Sequence, residues 1–355
     1  MARRFSSCLL VCVVGSVCLL QAPVAAFPGA TMDRLDRFRE LARTRLTASA
    51  VTGGERDLTV YREVFALLDE EIVESLESGG VFASEGFLQE RLDAFTEAWG
   101  GAALRVIKTG GVVVGAFRLA DATDGNSVRV YGGYRGEPAL LGTIHREGNP
   151  TLYPMPPAVG GAPQFLVVWE GARSGRGTTP VRVDLVRQEG DAVRTVWSTV
   201  ELFDGELQTW SYAVHGAEIT LRYELQYPGW VPGCDGQTEQ ADVYRYVPAR
   251  QTFSLARRRL ASAWHRDFHA VVDRFFTALR TDDGAALAEL VPDVRLRARL
   301  SSSLAPAPEC DAGEGAAPST VSVAAMLSAE RRPWALTFHR AGSAWHLIGA
   351  GPAIP

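Results

Sequence analysis

The sequence predicts an α+β fold: a helical N-terminal segment, an antiparallel β-sandwich or curved-sheet domain, and a small α+β C-terminal domain. Three observations carry this. Apolar residues recur at helical spacing over 32–99, they alternate with polar residues over 101–257, and helical spacing returns from Arg258 before a closing pair of alternating runs. At 355 residues the chain exceeds what one core usually holds, so division into parts at 27–100, 101–257 and 258–355 is expected.

The extreme N-terminus reads as a signal peptide spanning 1–26. Arg3 and Arg4 precede an apolar run over 8–20, and the small residues Ala22, Ala25 and Ala26 then lead to Phe27. The run is too short to span a bilayer, which takes about 20 residues. Cleavage after Ala26 is expected, with a periplasmic or secreted product that does not span a membrane.

In the helical segment, Leu35, Phe38, Leu41, Ala42 and Leu46 form one apolar stripe. Tyr61, Val64, Phe65, Leu68, Ile72 and Leu76 form a second, which ends at Gly79 and Gly80. Ser84 is placed to cap a third helix carrying Leu88, Leu92, Phe95 and Trp99. The acids Asp69, Glu70, Glu71 and Glu74 are expected on the solvated face. Strands follow at 112–119, 127–131, 139–145, 164–170, 181–187, 192–197, 209–214, 218–224, 243–246 and 252–255, joined by short Gly-, Asp- and Pro-rich turns. Their polar members, including Arg182, Asp184, Arg222 and Glu224, are expected to face water.

From Arg258, the residues Leu260, Trp264, Phe268, Val271, Val272, Phe275, Phe276 and Leu279 give a wide apolar helical face. Asp282, Asp283 and Gly284 stop that helix and cap a short second one over 285–291. A Pro-, Ala- and Gly-rich loop covers 305–318, and runs at 334–338 and 344–348 form a hairpin about Gly342. These helices and the closing pair resemble the nuclear transport factor two-like superfamily, an α+β cone, over about a quarter of the chain. The resemblance implies a cone-shaped α+β unit. It assigns no activity, because the superfamily holds enzymes, ligand binders and association modules.

Composition narrows the chemistry. Loss of Arg3 and Arg4 takes the net charge from −5 to −7, which gives no electrostatic footprint for nucleic acid. Lys108 is the only lysine and lacks a preceding glycine, so a phosphate-binding P-loop, a Ser-Lys dyad and a Schiff-base lysine are excluded. Gly171-Ala-Arg-Ser174-Gly175 is out of register for a serine-hydrolase elbow, and 173–177 reads as a polar hairpin turn. No cofactor is expected.

Of the five cysteines, the signal peptide holds three, leaving Cys234 and Cys310 to pair in an oxidising compartment. By the chain-entropy model such a loop closure stabilises by about 4–5 kcal/mol. The loop from Tyr227 to Gly236 is fixed by prolines and glycines, and Tyr227 and Trp230 are its candidate ligand-binding residues. The alternative is a tucked loop whose tryptophan plugs the junction between sheet and helix. His265, His269 and Asp273, four apart on a helix, are metal candidates. Arg266 replaces the glutamate of the zinc-protease signature, so histidines satisfied by packing are the preferred reading. Asp235, Glu239 and Asp242 near one cysteine, and Glu309, Asp311 and Glu314 near the other, are candidates for a calcium site or for solvated loop acids.

These features point to an exported, non-enzymatic binding or association protein of the cell envelope, with a protein, glycan or apolar ligand as partner. The alternatives are an envelope glycan or peptide hydrolase and a periplasmic carrier of an apolar molecule.

Overall fold

The computed structural model describes residues 33–353, apart from 49–54, 121–124, 204–206, 235, 308–309, 311–317 and 329–330. The signal-peptide segment lies outside the described residues, as do the acids Asp235, Glu309, Asp311 and Glu314. The fold is α+β and rich in sheet, with strand outweighing helix by 44% to 28%. No helix among the described residues is long and apolar enough to cross a membrane.

Three helices open the chain, α1 (Arg34–Ala48), α2 (Glu55–Ser78) and α3 (Glu85–Trp99). Ser84 caps α3 by accepting from the Phe87 amide at 3.3 Å, as its sequence position predicts. The apolar stripes meet one another and one face of a four-stranded antiparallel sheet, β1 (Ala103–Thr109), β2 (Val112–Arg118), β3 (Asn126–Tyr134) and β4 (Glu137–His145). Phe38, Leu68, Ile72, Phe95 and Trp99 from the helices share one core with Val106, Val113, Phe117 and Tyr131 from the strands. Gly115 is needed on β2 because a Cβ there would stand 2.4 Å from the Phe117 ring. β1 was not expected from the sequence.

The second face of this sheet packs on a larger one. That sheet contains β5 (Asn149–Pro154), β6 (Gln164–Glu170), β7 (Thr179–Glu189), β8 (Ala192–Ser198), β9 (Leu207–His215), β10 (Glu218–Glu224), β11 (Glu239–Val247) and β12 (Thr252–Ala261), in the order β12-β11-β10-β9-β7-β6-β5 with β8 beside β7. Val112, Val114, Val128 and Val130 meet Phe165, Val167, Trp169 and Val186 between the two sheets. The other face curls into its own core of Leu166, Val183, Leu185, Ile219, Leu221, Tyr244 and Phe253. The curl brings Trp197 of β8 to 5.0 Å from Phe253 of β12, ring to ring. β5, also missed, carries Pro150 and Pro154, which the sheet tolerates at its edge.

Coverage on both faces corrects two expectations. Asp184 of β7 is fully buried because the smaller sheet covers its side, whereas Arg222 stays exposed and Arg182 and Glu224 are half-buried. Likewise the α2 acids are not all solvated. Glu71 is buried between Arg34 and Arg91, at 3.1 and 2.6 Å. Burial pushes its carboxyl up, but these two guanidinium groups outweigh burial and hold it below the usual range. Asp69 accepts from Arg129 Nε at 2.6 Å and from the Tyr131 hydroxyl at 2.7 Å, joining α2 to β3.

The chain closes with α4 (Ala263–Thr281), α5 (Gly284–Leu290), α6 (Val294–Arg297) and a third antiparallel sheet, β13 (Leu304–Pro306), β14 (Thr320–Leu327), β15 (Arg332–Ala341) and β16 (Ala344–Pro352). Asp282, left-handed at φ 55°, ends α4. Asp283 then caps α5 through the Ala285 and Ala286 amides. Phe268, Phe275 and Leu279 lie on Val323, Leu336, Phe338 and Trp345. β14 was missed within the segment beyond the expected loop.

The Asp69 pair gives a quantitative prediction. Asp69→Ala strands the buried Arg129 guanidinium, and chemical denaturation should show a loss of about 3–5 kcal/mol. Replacing Asp69 and Arg129 together by leucine and methionine should recover most of it.

Candidate functional site

The loop between β10 and β11 gathers most of the residues that the sequence singled out. The Cys234 and Cys310 sulfurs lie 2.05 Å apart, so the sheet loop and the segment ahead of β14 are joined. The Tyr227 hydroxyl meets His265 Nδ1 at 2.7 Å, and the Tyr227 ring lies 6.1 Å from both the His265 and His269 rings. Trp230 and His269 share the lining of a crevice of about 250 Å³ with Val272, Phe276 and Val323. The tryptophan therefore sits half-buried at the junction between sheet and helix, as the tucked-loop alternative expects.

Backbone chemistry explains why the loop holds this path. Gln237 is buried, and its amide donates to the Val231 and Cys234 carbonyls at 2.6 and 3.2 Å while its oxygen accepts from the Val231 amide. Thr238 reaches across to α4, whose N-cap residue Ser262 makes no side-chain cap. The Thr238 hydroxyl donates to the Ser262 carbonyl at 2.8 Å and accepts from the Arg266 amide at 3.1 Å. A residue of the sheet loop thus satisfies an orphan amide of the helix.

Of the metal candidates, the structure buries His265 and His269 with ring centroids 4.6 Å apart, but leaves Asp273 exposed. Among the described residues no group of three or more His, Cys, Asp or Glu side chains is arranged to hold a metal ion. His265, His269 and Asp273 are thus not gathered into such a group, and the Tyr227 hydroxyl engages one ring nitrogen of His265. Of the calcium candidates within the described residues, Asp242 lies inside the curled sheet. There it accepts from Tyr223 and Gln240, each at 2.9 Å, and from Arg258 at 2.8 and 2.9 Å. Burial pushes the Asp242 carboxyl up, but hydrogen bonds from Arg258, Tyr223 and Gln240 prevail and hold it below the usual carboxylate range. Burial beside that charge pushes the Tyr244 hydroxyl up to about 12.

On the other side of the loop lies a cleft of about 730 Å³. Its wall includes Arg176, Trp210, Arg222, Glu224 and Glu239, with the Cys234 end of the loop as one edge. Glu224 and Glu239 stand directly opposite in the β10–β11 register. Each is held by an arginine: Arg176 donates to Glu224 at 3.1 Å and Arg222 to Glu239 at 2.7 Å. The Trp230 indole also donates to Glu224 at 3.2 Å, and Arg176 stacks 5.8 Å from its ring centroid.

Trp210 enters this wall through a bulge. In the β9–β10 ladder Thr209 pairs with Tyr223 and Ser211 with Arg222, which leaves Trp210 as the extra residue. Its indole nitrogen is buried and has no hydrogen-bond partner among the described residues. Sequence reasoning missed Trp210, since alternation through Thr209, Trp210, Ser211 and Tyr212 gives no sign that the strand slips by one. Arg176 was read only as part of a turn. No protein-family model matches the chain, and no curated protein matches it.

Gly229 tests the closeness of loop and helix. Its φ is +87°, and a Cβ there would stand 2.2 Å from His269 Nδ1. Gly229→Ala combines backbone strain with overpacking, so denaturant unfolding should show a loss of about 2–4 kcal/mol. The same change at Gly233, where the nearest atom is an arginine nitrogen at 3.8 Å, should cost less.

Proposed function

We propose that this chain is an exported, non-enzymatic binding protein of the cell envelope, and that the cleft beside the disulfide-joined loop takes a neutral, hydroxyl-rich glycan fragment. The bulged Trp210 carries the reading. A bulge spends an unpaired residue in a strand, and here that residue is an aromatic one placed in the wall of a cleft of about 730 Å³. Around it, two paired arginines and glutamates sum to zero charge and present both donors and acceptors, which suits sugar hydroxyls better than a charged ligand. The Cys234–Cys310 pair supports an oxidising, exported setting, and the sequence of residues 1–26 supports the route.

Two rival readings have less support. A glycan hydrolase uses one carboxyl as acid and the other as base or nucleophile. Glu224 and Glu239 are instead each committed to an arginine, and Asp242 is enclosed in the sheet. A carrier would hold its apolar cargo in the concave face, which Trp197, Tyr244, Tyr246 and Phe253 fill. In this reading the three helices and four-stranded sheet over 263–352 serve as an association module.

Calorimetric titration with a peptidoglycan-derived disaccharide tests the assignment. Binding is expected, and Trp210→Ala should weaken it at least roughly tenfold, as loss of a stacked aromatic costs about 1–3 kcal/mol elsewhere, with the melting temperature little changed. Absence of binding by the oxidised protein at millimolar sugar would refute the proposal.

A further inference from the structure

A second cavity, of about 620 Å³, opens at another end of the large sheet, beside the β4–β5 turn and the short 3₁₀ turn Thr199–Glu201. Trp169, Val181, Val200 and Leu207 give it an apolar lining, and Arg146 and Arg182 give it charge. Both arginines lean on the fully buried Asp184. Arg182 donates through Nε at 2.9 and 3.0 Å, Arg146 through Nε at 3.3 Å, and the Ser198 hydroxyl adds a bond at 2.6 Å.

The charge and donor counts are unbalanced. One carboxylate serves two guanidinium groups, and it engages only their Nε edges. Among the described residues the Nη nitrogens of Arg146 and Arg182 have no hydrogen-bond acceptor, so two half-buried forks remain free to bind. Trp169 is 2% exposed, and its indole N–H also lacks a partner. His145 and Glu147 lie on the exposed rim, and Glu147 forms no ion pair with either arginine.

We infer that this cavity binds a free carboxylate bearing a medium-length apolar chain. The guanidinium forks take the head group and the surface of Val181, Val200 and Leu207 takes the tail. Asp184 holds both arginines in place, so the site is formed before the ligand arrives. The inference does not depend on the glycan reading of the other cleft.

Calorimetric titration with decanoate, decanol and acetate, all below micellar concentrations, separates head from tail. Decanoate should bind one to one, at least roughly tenfold tighter than decanol, since a hydrogen bond to a charged group contributes about 1.5–3 kcal/mol. Acetate should show no measurable binding. Arg146→Gln should bring decanoate down to the decanol level, with decanol affinity itself unchanged as the sign that the cavity is intact. Val200→Glu, on the exposed wall, should weaken both long-chain ligands without touching the arginines. Equal binding of decanoate and decanol, full decanoate affinity in Arg146→Gln, or loss of decanoate binding in Trp210→Ala would overturn the assignment.

Discussion

The Thr238 hydroxyl is the smallest group on which the arrangement of this molecule depends. It serves the last residue of a sheet connection and the first turn of α4 at once, giving to Ser262 and taking from Arg266. Without it, α4 would begin on a left-handed serine with an orphan amide facing protein. Tyr227 against His265 and the Cys234–Cys310 bond reinforce the same seam from either side. The loop therefore belongs to two units, and the cleft on its outer side inherits a fixed edge.

A second constraint is the thickness of the structure. Helices cover one face of the small sheet, the large sheet covers the other, and the large sheet then curls on itself. Strands in the middle have no wet face. Charged residues that alternation would send to water are enclosed, and each survives by pairing: Asp184 with two arginines, Asp242 with an arginine, two tyrosines and a glutamine, Arg129 with Asp69. Removing a charge from water is costly unless its hydrogen-bonding capacity is met. At Asp184 the carboxylate is satisfied while its arginines are not, and that asymmetry distinguishes the second cavity from an ordinary buried ion pair.

Much of the secondary structure was legible because it rests on local pattern. The stripes through Phe38, Leu68 and Phe95 repeat every three or four residues, and the run 164–170 coincides with β6. Other elements were hidden for identifiable reasons. β1 buries Leu104 and Val106 on either side of Arg105, with Lys108 close behind, which weakens its apolar signal, and β5 is bracketed by prolines. β14 alternates cleanly at Val321, Val323, Ala325 and Leu327, but it is built from small residues beside a loop-like stretch. The fate of Asp184 could not be read locally, since only a second sheet makes its side an interior. The Cys234–Cys310 pair was readable by elimination, whereas Trp210 required the register of two strands to be known.

If the seam holds the cleft in shape, its stiffness should be local and should depend on the sulfur bridge. Native-state hydrogen exchange on the oxidised protein and on a Cys234→Ser, Cys310→Ser variant measures this directly. Protection of the Trp230, Val231 and Cys234 amides is expected to fall by at least an order of magnitude in the variant, while the amides of β10 and β11 keep theirs. Unchanged protection in the loop, or a loss spread evenly through both strands, would contradict it.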